Sequence, residues 1–275
     1  MARITQVTVG GYWVNHYDNP CKQATTDYCD ELVTGFTDAM KARGHRIDVL
    51  RSEHDASPLQ WGAWTDKKPN GVDTVQFAFL ATHGGTHGHE LRGSIWLHWT
   101  LATFSSTDGC YVSTIRLDGR WFPVTPSTPV VTMRLGEGRL RWAVLDLCRS
   151  LQIGVVNESD QNARAELAEA DPGTTWKRCF DGVHMLFGFT GLSSDAYWTQ
   201  DRGKSFGQRA GRGELLADSW VDEAYSWWTD DAPVALACSR SDADATARLH
   251  SESLAAVAPP LNFPDATNFA YMWRA

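Results

Sequence analysis

No stretch of the 275-residue chain reaches the ~18 consecutive apolar residues that a membrane-spanning helix requires, so no membrane partner is expected. The opening Met-Ala-Arg-Ile-Thr-Gln has no apolar run able to serve as a signal-peptide core, which favours the cytoplasm. Positive charge is also in short supply: 25 basic side chains face 33 acidic ones, a formal −8. Sequence-independent nucleic-acid binding needs Lys and Arg to neutralise phosphates, so that class is excluded. Cysteines number six (Cys21, Cys29, Cys110, Cys148, Cys179, Cys238), and without an export signal they are expected as free thiols. Familiar ligand motifs are missing too. Gly203-Lys204-Ser205 ends like a phosphate-binding loop, but Trp198 stands where its first glycine belongs. His89-Glu90 opens like a zinc-protease helix, but Gly93 occupies the second histidine position.

What is present is an alternation of strand and helix, the pattern of a layered α/β fold with a mostly parallel sheet. Ile4–Val14 is β-rich, with Gly10-Gly11 as a break or bulge. From about Thr26 to Arg43, Tyr28, Leu32, Phe36 and Met40 recur every four residues and give a helix one apolar face. Acidic residues in its first turn, Lys41 and Arg43 in its last and Gly44 after it fit the helix dipole and a C′ glycine. Arg46–Leu50 is a short strand. The runs Val72–Ala81, Leu140–Leu145 and Val183–Thr190 are apolar nearly throughout, as strands buried on both faces should be. Residues 93–133 read as short strands and turns, Leu215–Trp228 as a helix and Pro233–Cys238 as a further strand. The basic, glycine-rich run Arg202–Arg212 reads as a solvated loop. Repeats and long linkers are absent, so one domain over 1–275 is expected.

Two strand ends carry chemistry. The run ending at Ala81 is followed by Thr82-His83-Gly84-Gly85, and the run ending at Leu145 by Asp146-Leu147-Cys148-Arg149-Ser150. In open α/β sheets functional groups gather beyond the carboxyl ends of the strands. Neighbouring parallel strands would bring His83 and Cys148 over one rim. A thiol nucleophile needs a lowered pKa or a nearby base, and an imidazole supplies either. Gly84 and Gly85 let the backbone approach a substrate, and their N–H groups suit a developing oxyanion. The set is complete for acyl transfer.

This pair of strand ends resembles the caspase–haemoglobinase clan of cysteine peptidases, and is closest in motif to metacaspases. The resemblance implies a three-layer caspase-like α/β fold with a mostly parallel central sheet flanked by helices. It implies His83 as acid/base, Cys148 as nucleophile, and the N–H groups of Gly84 and Cys148 as oxyanion donors. It also implies that Asp146, two residues before the nucleophile, helps select a basic residue or other cationic acyl group. The chain departs from metacaspases in reading Ala81-Thr82-His83-Gly84 at one motif and Arg149-Ser150-Leu151 after the cysteine. The expected activity is cleavage or transfer of a peptide or small-molecule amide, with no cofactor.

Other readings stand beside this one. His83, His87 and His89, followed by Glu90, have a spacing that suits zinc and would give a metal-dependent hydrolase. A caspase-like domain without catalysis, acting as a binding module, is the third. His184 lies in an apolar strand, as a satisfied core histidine or as a residue lining the site. Cys110, Cys179 and Cys238 read as structural. Of 13 tryptophans, Trp96, Trp99, Trp121, Trp142, Trp220, Trp227 and Trp228 are expected in or beside the core. Trp61, Trp64 and Trp198 are expected at the surface, as a platform for sugars, aromatic substrates or a partner.

Overall fold

The computed structural model describes residues 5–18, 21, 23–62, 71–91, 95–106, 108–114, 130–154, 171–229, 231–259, 261 and 267–274; for 87–91 and 95–99 it describes the backbone alone. Trp64 and Trp121 lie outside these residues, as do the side chains of His87, His89, Glu90, Trp96 and Trp99.

The central seven-stranded sheet runs in the order β2 (Arg46–Ser52), β1 (Thr8–Trp13), β3 (Phe77–Ala81), β8 (Trp142–Asp146), β9 (Met185–Phe189), β10 (Pro233–Ser239) and β11 (Asn268–Trp273). The strands from β2 to β9 are parallel; β10 opposes β9, and β11 opposes β10. β3, β8 and β9 are buried along their whole length, which accounts for their unbroken apolar sequences. The register of β1 on β2 shifts between Val9 and Gly10, at the double glycine. A second sheet is ordered β4 (Gly84–Leu91), β5 (Ile95–Ser106), β6 (Gly109–Ser113) and β7 (Val130–Thr132).

Three layers result. One face of the central sheet packs under α1 (Cys29–Ala42), α3 (Arg202–Gly211) and α4 (Leu216–Ala224). Phe36, Phe77, Phe187, Phe206 and Trp220 meet there in tilted and edge-to-face contacts. The other face is covered by the second sheet and short α2 (Pro172–Trp176), where Phe104, Val112 and Trp176 join Leu80 and Leu145. The three-layer α/β expectation holds, with a small sheet supplying most of one outer layer. α5 (Asp242–Leu249) lies beside β10 and β11.

Four local readings are corrected. Arg202–Gly211 is a helix, and its glycines are its packing face. A Cβ at Gly203 would stand 2.0 Å from the Leu32 carbonyl, one at Gly207 2.8 Å from that of Phe36, and one at Gly211 2.7 Å from Arg43 Cγ. Glycine every fourth residue thus lets α3 lie backbone-to-backbone on α1. The helix read to Trp228 stops at Ala224, where Tyr225 turns extended, and Trp227 and Trp228 emerge into solvent. Trp61 is fully buried against Tyr12. Finally, Cys21 and Cys110 form a disulfide across 89 residues, so six free thiols become four. A crosslink of this kind persists in oxidising compartments and counts against cytoplasmic placement. Among the described residues no helix is long and apolar enough to cross a membrane.

Candidate active site

β1 has β2 on one side and β3 on the other, so the connections diverge there. The crevice beyond the carboxyl ends of such a pair is the usual ligand site of an open α/β sheet. His83 stands at that point. In the β3–β8 pairing, Ala81 lies opposite Asp146, and the Thr82 N–H donates to the Asp146 carbonyl at 3.2 Å. His83 and Cys148 are each two residues beyond this pair and leave the sheet at the same level.

The segment following β1 fixes the histidine. The His83 N–H donates to the Tyr17 hydroxyl at 2.9 Å, and the two rings lie 5.2 Å apart. Thr82 Oγ1 donates to the Thr103 carbonyl, which leaves it as an acceptor for the Tyr17 hydroxyl 2.6 Å away. The Tyr17 hydroxyl also lies 3.2 Å from the Val14 carbonyl, a second acceptor for its proton. His83 Nε2 lies 2.9 Å from the Ala24 carbonyl. A carbonyl only accepts, so Nε2 carries a proton, and in the neutral ring the lone pair is the one on Nδ1. Ala24 is three residues from Cys21, whose disulfide ties this segment to β6.

Cys148 is half-buried behind Ser193. The Ser193 N–H donates to its Sγ at 3.5 Å, and the Ser193 carbonyl lies 3.8 Å away to receive the thiol proton. Burial pushes the thiol pKa up, with Asp146 and Asp231 adding to it, so the resting group is a protonated thiol. Next to it, Arg149 adopts φ +55°, a strained conformation, with its N–H on the Gly191 carbonyl at 2.6 Å. Two contacts join the cysteine turn to the histidine strand. A Cβ at Gly84 would lie 2.1 Å from Leu147 Cδ1, and Thr86 Oγ1 donates to the Arg149 carbonyl.

Gly84 and Gly85 belong to strand β4 rather than to a loop, and their roles separate. Thr103 donates to the His83 carbonyl at 2.9 Å, which makes His83–Thr103 a hydrogen-bonded pair of the β4–β5 ladder. By alternation the Gly85 N–H points into the ladder and the Gly84 N–H points out along the open edge of β4. Gly84 remains a candidate oxyanion donor, and Gly85 is corrected to a ladder residue. The Cys148 N–H has no acceptor among the described residues.

Asp146 is the larger correction. A buried carboxylate at a strand end needs a partner, and the chain provides its own. Arg202, at the start of α3, meets both oxygens of Asp146, with Nε 2.7 Å from Oδ2. It also reaches Asp231 at 3.2 Å and Ser193 Oγ at 2.7 Å, and lies over the Phe189 ring. Burial opposes its charge, but the two carboxylates outweigh that and keep the guanidinium ionised. A substrate cation finds no open carboxylate at Asp146.

His184 does not line the site. It precedes β9 and sits at the amino rim, across the sheet from Cys148. Fully buried, its Nδ1 pairs with Glu252 at 2.6 Å, while Arg248 and Trp142 bind the same carboxylate at 2.9 and 3.0 Å. Burial lowers its pKa, and Nε2, without an acceptor, has no place for a second proton. For the zinc reading, His83 Nε2 is already committed to Ala24, and the His87 and His89 side chains lie outside the described residues.

A family model described as a domain of unknown function, DUF6345, matches residues 12–275. The chain belongs to that family. No curated protein matches it. Among solved structures, caspase-1 from Spodoptera frugiperda aligns over 81% of this chain and 79% of its own, at 11% identity and a TM-score of 0.32. Nothing about the DUF6345 site rests on a likeness that low.

Proposed function

We propose that the chain is a cysteine-dependent amidase or acyl transferase, with Cys148 as nucleophile and His83 as proton carrier. The observation that carries this reading is the Ala81–Asp146 register, which sends both residues off one rim, together with the Ala24 carbonyl that leaves Nδ1 of His83 bare. The motif resemblance to metacaspases supports it. Because the resting thiol is protonated, attack on an amide carbonyl needs the base. Nδ1 takes the thiol proton as the S–C bond forms, and the N–H groups of Gly84 and Cys148 hold the oxyanion. The imidazolium then gives that proton to the departing amine as the C–N bond breaks, leaving a thioester. Water attacks the thioester, passing its proton through His83 back to the thiol; an amine in its place gives transfer. Cation selection by Asp146 drops out of the mechanism, since Arg202 fills that position.

The test is acylation with p-nitrophenyl acetate, followed by peptide mass spectrometry. Acetylation of Cys148 is expected ahead of Cys29, Cys179 and Cys238, slowed about a hundredfold or more in His83→Ala. An unacylated Cys148, or equal rates in the two proteins, would overturn the proposal. Exposed rings on loops that leave the same rim favour one second reading, a binding module. Ligand binding without any acylation would select it.

A further inference from the structure

We propose that two ring-bearing loops beside Cys148 form a subsite for an aromatic group of the substrate. Its place as a subsite rests on the proposed function, but its capacity to bind a ring does not. Among the described residues the four most exposed large hydrophobic side chains are Tyr197 (69%), Trp198 (68%), Trp227 (67%) and Trp228 (74%). Trp227 and Trp228 stack on each other with centroids 3.5 Å apart. Rings left in water on this scale point to something that covers them.

Their position identifies what does. Tyr197 and Trp198 follow β9. Trp227 and Trp228 precede β10, whose first residue, Pro233, pairs with the last of β9, Phe189. Both loops therefore rise from the carboxyl rim that holds His83 and Cys148. They are also fastened to each other and to the thiol. Asp231 accepts the Ser194 N–H at 2.8 Å, and Arg202 joins Asp231 to Asp146. Ser193 touches the Cys148 sulfur, and Thr199 Oγ1 closes the Tyr197 loop on the Ser194 carbonyl at 2.8 Å. The loops that carry the rings are thus tied to the residue that touches the nucleophile, as a subsite for the reacting molecule requires. The exposed carboxylate of Asp195, three residues before Trp198, disfavours an anionic bilayer as the covering partner. An uncharged ring, stacked offset or edge-on, suits these faces.

The experiment compares two chloroacetamides, N-methyl and N-(2-naphthylmethyl), as alkylators of Cys148. In the wild type the naphthyl probe is expected to react about tenfold faster. In Trp227→Ala/Trp228→Ala and in Trp198→Ala, folded by their melting curves, the naphthyl-to-methyl ratio is expected to fall towards one. A ratio near one in the wild type, or an undiminished ratio in the variants, overturns the subsite. If neither probe labels Cys148, the proposed function fails and the subsite is judged separately. Saturable quenching of Cys148→Ser fluorescence by N-(2-naphthylmethyl)acetamide, lost in the added double substitution, upholds it; no quenching overturns it.

Discussion

At the carboxyl rim of the central sheet, His83 is half-buried and holds one ring nitrogen on a carbonyl, while the strand beside its own ends in the turn that carries Cys148. At the amino rim, His184 is fully buried and locked to Glu252, with Arg248 and Trp142 on the same carboxylate. Each rim also carries a buried arginine network: Arg202 with Asp146 and Asp231, Arg248 with Glu252. The residue types are nearly the same, and the outcomes differ. The amino-rim network is buried and converges on one carboxylate, so its histidine shapes stability. The carboxyl-rim network bonds directly to Ser193, which touches the thiol, while no part of it engages His83 on the same rim.

The comparison can be broken most sharply at the arginines. Arg202→Met strands two buried carboxylates and is expected to cost about 3–5 kcal/mol in urea unfolding. Arg248→Met strands one, which still has Trp142 and His184, and should cost less. Equal losses would mean that the two networks are not different in kind. Next in size is the Cys21–Cys110 bond. Closing an 89-residue separation stabilises by about 4.6 kcal/mol in the chain-entropy account, and reduction should lower the melting temperature accordingly. The Cys21→Ser/Cys110→Ser protein should melt like the reduced wild type. A melting curve indifferent to reductant would refute the crosslink.

A smaller effect separates the histidines by pH. Burial depresses the His184 pKa, so the unfolded chain takes up the proton first. Stability is therefore full above about pH 6.5 and declines as pH falls below it. In His184→Gln that part of the slope should vanish; an unchanged slope would assign it elsewhere. Smallest of all is the stability effect of His83→Ala, expected under about 1 kcal/mol because the ring is partly exposed. A large loss there would make His83 a structural residue like His184.

Much of the fold was legible because burial on both faces writes unbroken apolar runs, and those runs are β3, β8 and β9. The His83 and Cys148 positions followed from where two such runs end. Other features lay beyond local pattern. The need of Asp146 for a cationic partner was readable, but the partner is Arg202, 56 residues away on a helix disguised as a glycine-rich loop. Only the four-residue spacing of Gly203, Gly207 and Gly211 signalled that helix. Of the two readings of His184 the core histidine holds and the site-lining one does not, because the residue stands at the start of its run and so at the amino rim of a parallel strand. Trp61 and Trp227 exchanged their expected places, since a tryptophan's burial depends on what packs over it. The disulfide joins cysteines too far apart for spacing to pair them.

The most direct test of the central claim is alkylation of Cys148 by iodoacetamide from pH 5 to 9, followed by peptide mass spectrometry in wild type and His83→Ala. Burial raises the thiol pKa, so labelling should climb with pH rather than plateau in acid. Near pH 7 the wild type should react at least about tenfold faster than the variant, because Nδ1 takes the thiol proton. Identical curves with and without His83 would contradict the account, leaving Cys148 a buried thiol that no base serves.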